Sequence, residues 1–122
     1  MIIGTGVDIV KVERFNTEQS PRFIQRVFSV REQAYLATKG AESMAGLFAA
    51  KEAVAKAIGT GFTGFFPCDI EVLHDENGKP YVVLHGTAEE VIKKATFSRC
   101  FSIHISISHS ATDAIAFAVL EI

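Results

Sequence analysis

The sequence predicts an α+β fold, α/β in the broad sense, in which a mostly antiparallel sheet packs against one long central helix with shorter helices around it. Three patterns carry this. Residues 42–58 repeat apolar side chains at helical spacing through Leu47, Ala50, Val54, Ala57 and Ile58. Residues 101–108 alternate Phe101, Ile103, Ile105 and Ile107 with Ser102, His104, Ser106 and Ser108, the period of a half-buried strand. Residues 114–122 follow a turn at 110–113 and are apolar on both faces, as expected of a central strand paired with its predecessor.

Taken from the amino end, residues 1–10 read as a strand. Ile2, Ile3, Val7, Ile9 and Val10 are β-branched, and Gly4 and Gly6 mark a bulge or a close backbone approach. Ser20-Pro21 is a helix start with proline in the first turn, and Ser29-Val30-Arg31-Glu32 is a capping box opening a helix that should run to Gly40. The long helix over about 42–58 keeps Glu52 and Lys56 off its apolar stripe and stops at Gly59. Residues 69–74 and 81–85 flank Asn77-Gly78 as a hairpin, with a loop longer than two residues to include Lys79-Pro80. Thr87-Ala88-Glu89-Glu90 reads as a second capping box, for a helix to about Phe97.

With 122 residues, 48% of them hydrophobic and 21% charged, and a net charge of −2, the chain has the composition of one compact soluble domain over 1–122. No global basic character points to nucleic acid, and no apolar run approaches the ~20 residues of a membrane span. A cytoplasmic setting is expected, with Cys68 and Cys100 as reduced thiols too sparse for a metal knuckle or a disulfide framework. Charge is uneven: residues 11–31 hold Lys11, Arg14, Arg22, Arg26 and Arg31 against only Glu13 and Glu18. That basic stretch, interleaved with Phe15, Phe23 and Phe28, is either a solvated face or a docking surface for an acidic partner.

Chemistry is concentrated in two segments. Asp8 ends an apolar, glycine-loosened strand, where a carboxylate serves no packing purpose; Glu52 and Lys56 sit four apart on a helix face, just ahead of Gly59-Thr60-Gly61. Two hard carboxylates, a lysine and free loop amides are what a magnesium ion with a diphosphate needs. Taken singly, Asp8 also reads as a turn or cap residue and Glu52–Lys56 as a surface ion pair. The glycine spacing of 59–64 imitates a dinucleotide fingerprint, but it closes a helix instead of opening one. Among the histidines only His109 stands out, at the end of its strand in a Ser-His-Ser turn.

Gly6-Val7-Asp8-Ile9, Phe48-Ala49-Ala50-Lys51-Glu52-Ala53 with Lys56 and Gly59-Thr60-Gly61, and Ile107-Ser108-His109-Ser110, taken in this order, resemble the holo-[acyl-carrier-protein] synthase group, the short single-domain 4'-phosphopantetheinyl transferases. The Asn77-Gly78-Lys79-Pro80-Tyr81 turn is similar as well, so the likeness spans nearly the whole chain. The resemblance implies coenzyme A as donor, a serine of apo acyl carrier protein as acceptor, and adenosine 3',5'-bisphosphate as leaving group. It implies that Asp8 and Glu52 ligate Mg2+, and that Lys56, with amides near Gly59 and Gly61, holds the diphosphate. His109 and Ser110 then hold the nucleotide end, and the acceptor serine loses its proton to Glu52 or to a water on the metal. It further implies a homotrimer with sites at subunit boundaries. An acidic carrier protein would dock on Lys11, Arg14, Arg22 and Arg26, with Phe23 as an apolar contact. Leu47 departs from the pattern, which often has arginine or tryptophan there, and Lys39 or Lys51 is a candidate substitute for the missing phosphate contact. Two other readings use the same residues: a non-catalytic coenzyme A or carrier-protein binding module, and a magnesium-dependent diphosphate hydrolase.

Overall fold

A computed structural model describes all residues, Met1–Ile122. β1 (Ile2–Lys11) leads through a short 3-10 turn (Val12–Phe15) to α1 (Pro21–Val27) and α2 (Val30–Leu36), and α3 (Ala41–Ile58) follows. A second 3-10 turn (Pro67–Asp69) precedes the hairpin β2 (Ile70–His74) and β3 (Pro80–Leu84), then α4 (Ala88–Ala95), β4 (Ser102–His109) and β5 (Asp113–Glu121). The strands form two antiparallel sheets, β1-β5-β4 and β2-β3. β5 is central, as its apolar sequence predicts, and Asp8, Ala116 and Ile107 lie in one row across the larger sheet.

The approach of α3 to this sheet follows from small residues on both surfaces. β5 turns Ala114, Ala116, Ala118 and Leu120 inward, and α3 answers with Ala45, Ala49, Ala50, Ala53 and Ala57, all buried. β1 goes further and presents no side chain at two inward positions. A Cβ on Gly6 would lie 1.9 Å from the Ala53 carbonyl oxygen, and one on Gly4 2.0 Å from that of Ala57. Both readings of these glycines hold, because the β1–β5 register also shifts between Ile2 and Gly4. Larger apolar residues complete one core of 23 buried side chains, including Phe28, Leu47, Val54, Ile70 and Ile92. Each of the large ones contributes about 2 kcal/mol by leaving water.

The smaller helices dock by caps and one buried ion pair. The Ser20 hydroxyl accepts from the Phe23 amide, and the Ser29–Glu32 capping box forms in both directions. Glu32 is fully buried. Its Oε1 also accepts from Lys51 Nζ at 2.7 Å and its Oε2 from the Val72 amide at 2.9 Å. Lys51 donates further to the carbonyls of Ile70 (2.6 Å) and Pro67 (3.2 Å), so α2, α3 and β2 are tied at one point with every buried polar atom satisfied.

Three expectations are corrected. α2 stops at Leu36, because the Lys39 amide turns back to the Leu36 carbonyl; Gly40 instead opens α3. The Thr87 capping box does not form: Thr87 has helical backbone angles and its hydroxyl donates to the Gly64 carbonyl. α4 ends at Ala95, with Phe97 and Ser98 at φ 54° and 58°. The hairpin loop is five residues long, as Lys79-Pro80 requires, and the Asp75 carboxylate accepts from the amides of Asn77 and Lys79.

On β1 and β5 the outward face of the larger sheet is apolar and bare, with Val7, Ile9, Ile115 and Phe117 49%, 66%, 43% and 47% exposed, while β4 turns Ser102, His104, Ser106 and Ser108 outward. No helix is long and apolar enough to cross a membrane.

Candidate active site

Asp8 is the inward residue of β1 that follows Gly6. Because Gly6 rests on the Ala53 carbonyl, the helix neighbours of Ala53 come up beside Asp8. Lys56 Nζ donates to Asp8 Oδ1 at 3.1 Å and to the Val7 carbonyl at 2.9 Å. Thus Lys56 turns to Asp8, not to Glu52 one turn before it as the surface ion-pair reading expects. With Lys56 53% exposed, this pair adds only about 0.5 kcal/mol to stability; its value is geometric.

Glu52 is half-buried and has no hydrogen-bond or ion-pair partner in the chain, whereas Asp8, Glu32 and Glu71 each have one. Burial pushes its carboxyl above the ordinary glutamate value and the negative charge of Asp8 adds to this, while Lys56 and Arg14 pull it back. Two carboxylates in mutual repulsion, one unpartnered, form a site that a hard divalent cation relieves. No third protein ligand joins them, which suits an ion that keeps water and phosphate oxygens in its shell.

The glycine loop beside this site supplies less than its sequence promises. Gly59 takes φ 92° and its amide donates to Ala55, closing α3, so that amide is not free for a phosphate. The Thr60 and Gly61 amides have no backbone partner.

His109 does not join Asp8 within one chain. β5 lies between β4 and β1, so the two rows are about 10 Å apart. His109 instead lines a separate cleft of about 220 Å³ with Leu47, Ile107 and Pro80 and with a stacked Tyr35–His74 pair whose rings are 4.5 Å apart. Ser110 holds the β4–β5 turn, its hydroxyl accepting from the amides of Thr112 and Asp113 at 3.2 Å each. Leu47 is buried in the wall of this cleft, and Lys39 sits over Tyr35 at its edge, with Nζ 5.2 Å from the ring. Lys51 is excluded as a phosphate contact, because it is 1% exposed and spent on Glu32; burial holds its pKa below the usual lysine value.

The basic stretch divides. Arg22 and Arg26 line an open groove of about 300 Å³ with Phe66, and Lys11 pairs with Asp113 at 3.4 Å. Phe23 is half-buried, with its ring centroid within 6.4 Å of those of Phe15, Phe28 and Phe48. The Arg14 guanidinium lies 4.7 Å from the Phe48 ring centroid.

The family model described as the 4'-phosphopantetheinyl transferase superfamily matches residues 4–116. The chain belongs to this superfamily. Within it, the chain is 48% identical over 126 aligned residues to the holo-[acyl-carrier-protein] synthase of Clostridium novyi, spanning 100% of this chain and 89% of the relative. Its fold superposes on the holo-[acyl-carrier-protein] synthase of Neisseria meningitidis with a TM-score of 0.87 at 31% identity, covering 100% of both chains. The Bacillus anthracis enzyme, solved in complex with coenzyme A (3',5'-ADP), superposes with a TM-score of 0.79 at 36% identity over 99% of this chain and 97% of that one. The chain is thus a transferase of the holo-[acyl-carrier-protein] synthase group.

For a phosphopantetheinyl transferase of this kind, two features escaped sequence reasoning. Phe48 carries a sequence signal, since it lies four residues before Glu52 and so shares its helix face. The Tyr35–His74 stack carries none, because it joins α2 to β2 across 39 residues of chain.

Proposed function

We propose that this protein, over the whole of residues 1–122, transfers 4'-phosphopantetheine from coenzyme A to a serine of apo acyl carrier protein and releases adenosine 3',5'-bisphosphate. The carrying observation is the convergence of Asp8, Lys56 and an unpartnered, half-buried Glu52 in a chain of this family. The coenzyme A bound by the Bacillus anthracis relative supports the donor. Asp8 and Glu52 would hold a magnesium ion, for which their hard oxygens fit. Bound there, the ion would supply charge neutralisation to the diphosphate and its leaving oxygen.

The remaining work falls to the chain's own groups. Lys56, held by Asp8 and the Val7 carbonyl, is a fixed cation for a diphosphate oxygen, and the Thr60 and Gly61 amides are available to another. The acceptor serine oxygen attacks the phosphorus that carries the pantetheine arm. The bond from that phosphorus to the oxygen of adenosine bisphosphate breaks, and this oxygen keeps the electron pair. The serine proton leaves to Glu52 or to water beside it. Lys11, Arg14, Arg22 and Arg26, with Phe23 as an apolar contact, form the docking face for an acidic carrier, where such charges set mainly the association rate. His109 and Ser110 hold the nucleotide end of coenzyme A in this reading. Because His109 is a sheet's width from Asp8, a complete site takes residues from two copies, with the bare apolar sheet face as the contact of a homotrimer. A cytoplasmic setting accords with the two free thiols.

Mass spectrometry tests this directly. Apo carrier protein incubated with coenzyme A, magnesium and this protein should gain ~340 Da, with the gain abolished by Asp8→Ala and by Glu52→Ala. No gain with the wild-type chain rejects the proposal; coenzyme A binding without transfer would favour the non-catalytic module, and phosphopantetheine released without carrier protein the hydrolase.

A further inference from the structure

The basic stretch of residues 11–31 holds one cation that the docking face above does not use. Arg31 lies in the first turn of α2, with 60% of its side chain exposed, beside a groove of about 590 Å³ between α1, α2 and the β2–β3 hairpin. This groove is continuous with the one that Arg22 and Arg26 line, because Gln25 and Cys68 belong to both walls. Along the joined groove every exposed charge is positive. The one acid of its lining, Glu71, is 3% exposed and already committed. Its Oε2 accepts from the Ser29 hydroxyl at 2.5 Å and from Arg31 Nε at 3.3 Å, while Arg31 Nη2 and His85 Nε2 lie 2.5 and 2.9 Å from its Oε1. Glu71 is therefore an anchor beneath Arg31 and not a competing surface charge. The fork on Glu71 occupies Nε and Nη2, so the Nη1 donors of Arg31 remain for a second anion. Apolar contacts lie at either end, since Val30 and Phe66 are both exposed and Arg26 rests over the Phe66 ring, 5.3 Å from its centroid.

Taking the transfer reaction above as given, we propose that the acidic carrier docks along the whole of this joined groove, and that Arg31, held by Glu71, is a further carrier-binding residue that meets an acidic group distinct from the one met by Arg22 and Arg26. An acidic protein surface matches the groove both in sign of charge and in the exposed apolar side chains at its ends. A small anion would use one cation and leave the rest of the groove empty.

The test measures association of apo carrier protein by stopped flow with the wild type, Arg31→Gln, Arg31→Lys, Glu71→Gln and Arg22→Ala. At about 0.05 M salt Arg31→Gln should slow association about fivefold, and at about 0.5 M salt by less than about twofold, because screening removes the attraction. Arg31→Lys keeps the charge and should recover most of the rate, although its single ammonium cannot reproduce the fork on Glu71. Glu71→Gln disrupts the same cluster but removes a negative charge, so association should be no slower than in the wild type while dissociation quickens. Carrier acids neutralised one at a time should include one whose loss is non-additive with Arg31→Gln and additive with Arg22→Ala. Wild-type association in Arg31→Gln overturns the inference. So does an equal loss in Arg31→Gln and Glu71→Gln with no recovery in Arg31→Lys, which would make Arg31 a structural clamp, and so does a single carrier acid coupled to both Arg31 and Arg22. If Arg22→Ala also associates as the wild type does, the docking face itself is rejected, and a wild-type chain that binds carrier but transfers nothing rejects the transfer reading alone.

Discussion

Adjacent residues of α3 take opposite uses because a helix turns about 100° per residue. Lys51 points into the core, where Glu32 and two carbonyls absorb its charge, while Glu52 emerges at the edge beside Asp8. The sequence keeps Glu52 off the apolar stripe, whereas Lys51, four residues after Leu47 and three before Val54, falls on it. It marks Glu52 through its place in a motif, but nothing local names the groups that take up the Lys51 charge, since they lie 16 or more residues away. Glu71 is a second such case. It is 3% exposed, and although burial pushes its carboxyl up, bonds from Ser29, Arg31 and His85 outweigh this and bring it down from 4.5 to about 2. A depression of that size corresponds to about 3 kcal/mol of stability. Because the folded pKa is the lower one, this contribution is complete above the unfolded value and is lost as pH falls towards 2. Glu71→Gln should therefore lower the unfolding free energy by about 2–3 kcal/mol at pH 7, and the gap to the wild type should shrink by about half at pH 3. Urea titrations at the two pH values measure it; a gap independent of pH would reject this account.

At the scale of elements, β1 and α3 are held at backbone contact, and the site depends on that spacing. The sequence flags Gly4 and Gly6 as a bulge or close approach, and both occur, but it cannot say what approaches, because Ala53 and Ala57 are some 50 residues away. Caps show the same limit. Ser29–Glu32 and Thr87–Glu90 carry the same signature; the first forms, and the second loses its hydroxyl to Gly64, which a distant loop brings within reach. Gly6→Ala should force β1 off α3, since its Cβ would meet the backbone of Ala53 at 1.9 Å and no side chain can rotate away. We expect a stability loss of about 2–3 kcal/mol. We also expect the transfer rate to fall at least about tenfold in the fraction still folded, because Asp8 moves from Glu52 and Lys56. Circular dichroism melting and the transfer assay, run well below the melting temperature, separate the two effects. A variant with wild-type stability and rate would mean that the contact positions nothing.

The molecule as a whole leaves its larger sheet covered by α3 on one side and bare on the other. The apolar character of β5 on both faces was legible in the sequence and marked a central strand. Its outward half, Ile115 and Phe117 beside Val7 and Ile9, has no partner within the chain. The same topology keeps His109 a strand away from the Asp8–Lys56 pair, so one sequence motif list is distributed over two places in space. Both facts have one resolution in the proposed trimer, where the bare faces meet and His109 of one copy completes the Asp8 site of the next. Light scattering should then give about three times the 13.3 kDa of one chain. Phe117→Glu, at an outward position that leaves the core intact, should reduce the mass to a single chain and abolish transfer together. Complementation decides whether the sites are shared. Asp8→Asn and His109→Ala should each be inactive alone, but unfolding them together and refolding the mixture should restore activity, because some boundaries then combine an intact Asp8 with an intact His109. A site built wholly within one chain gives no recovery at any mixing ratio. That result, obtained with mixed assemblies of the expected mass, would leave the bare face as a contact surface and assign His109 to the Asp8 site of its own chain.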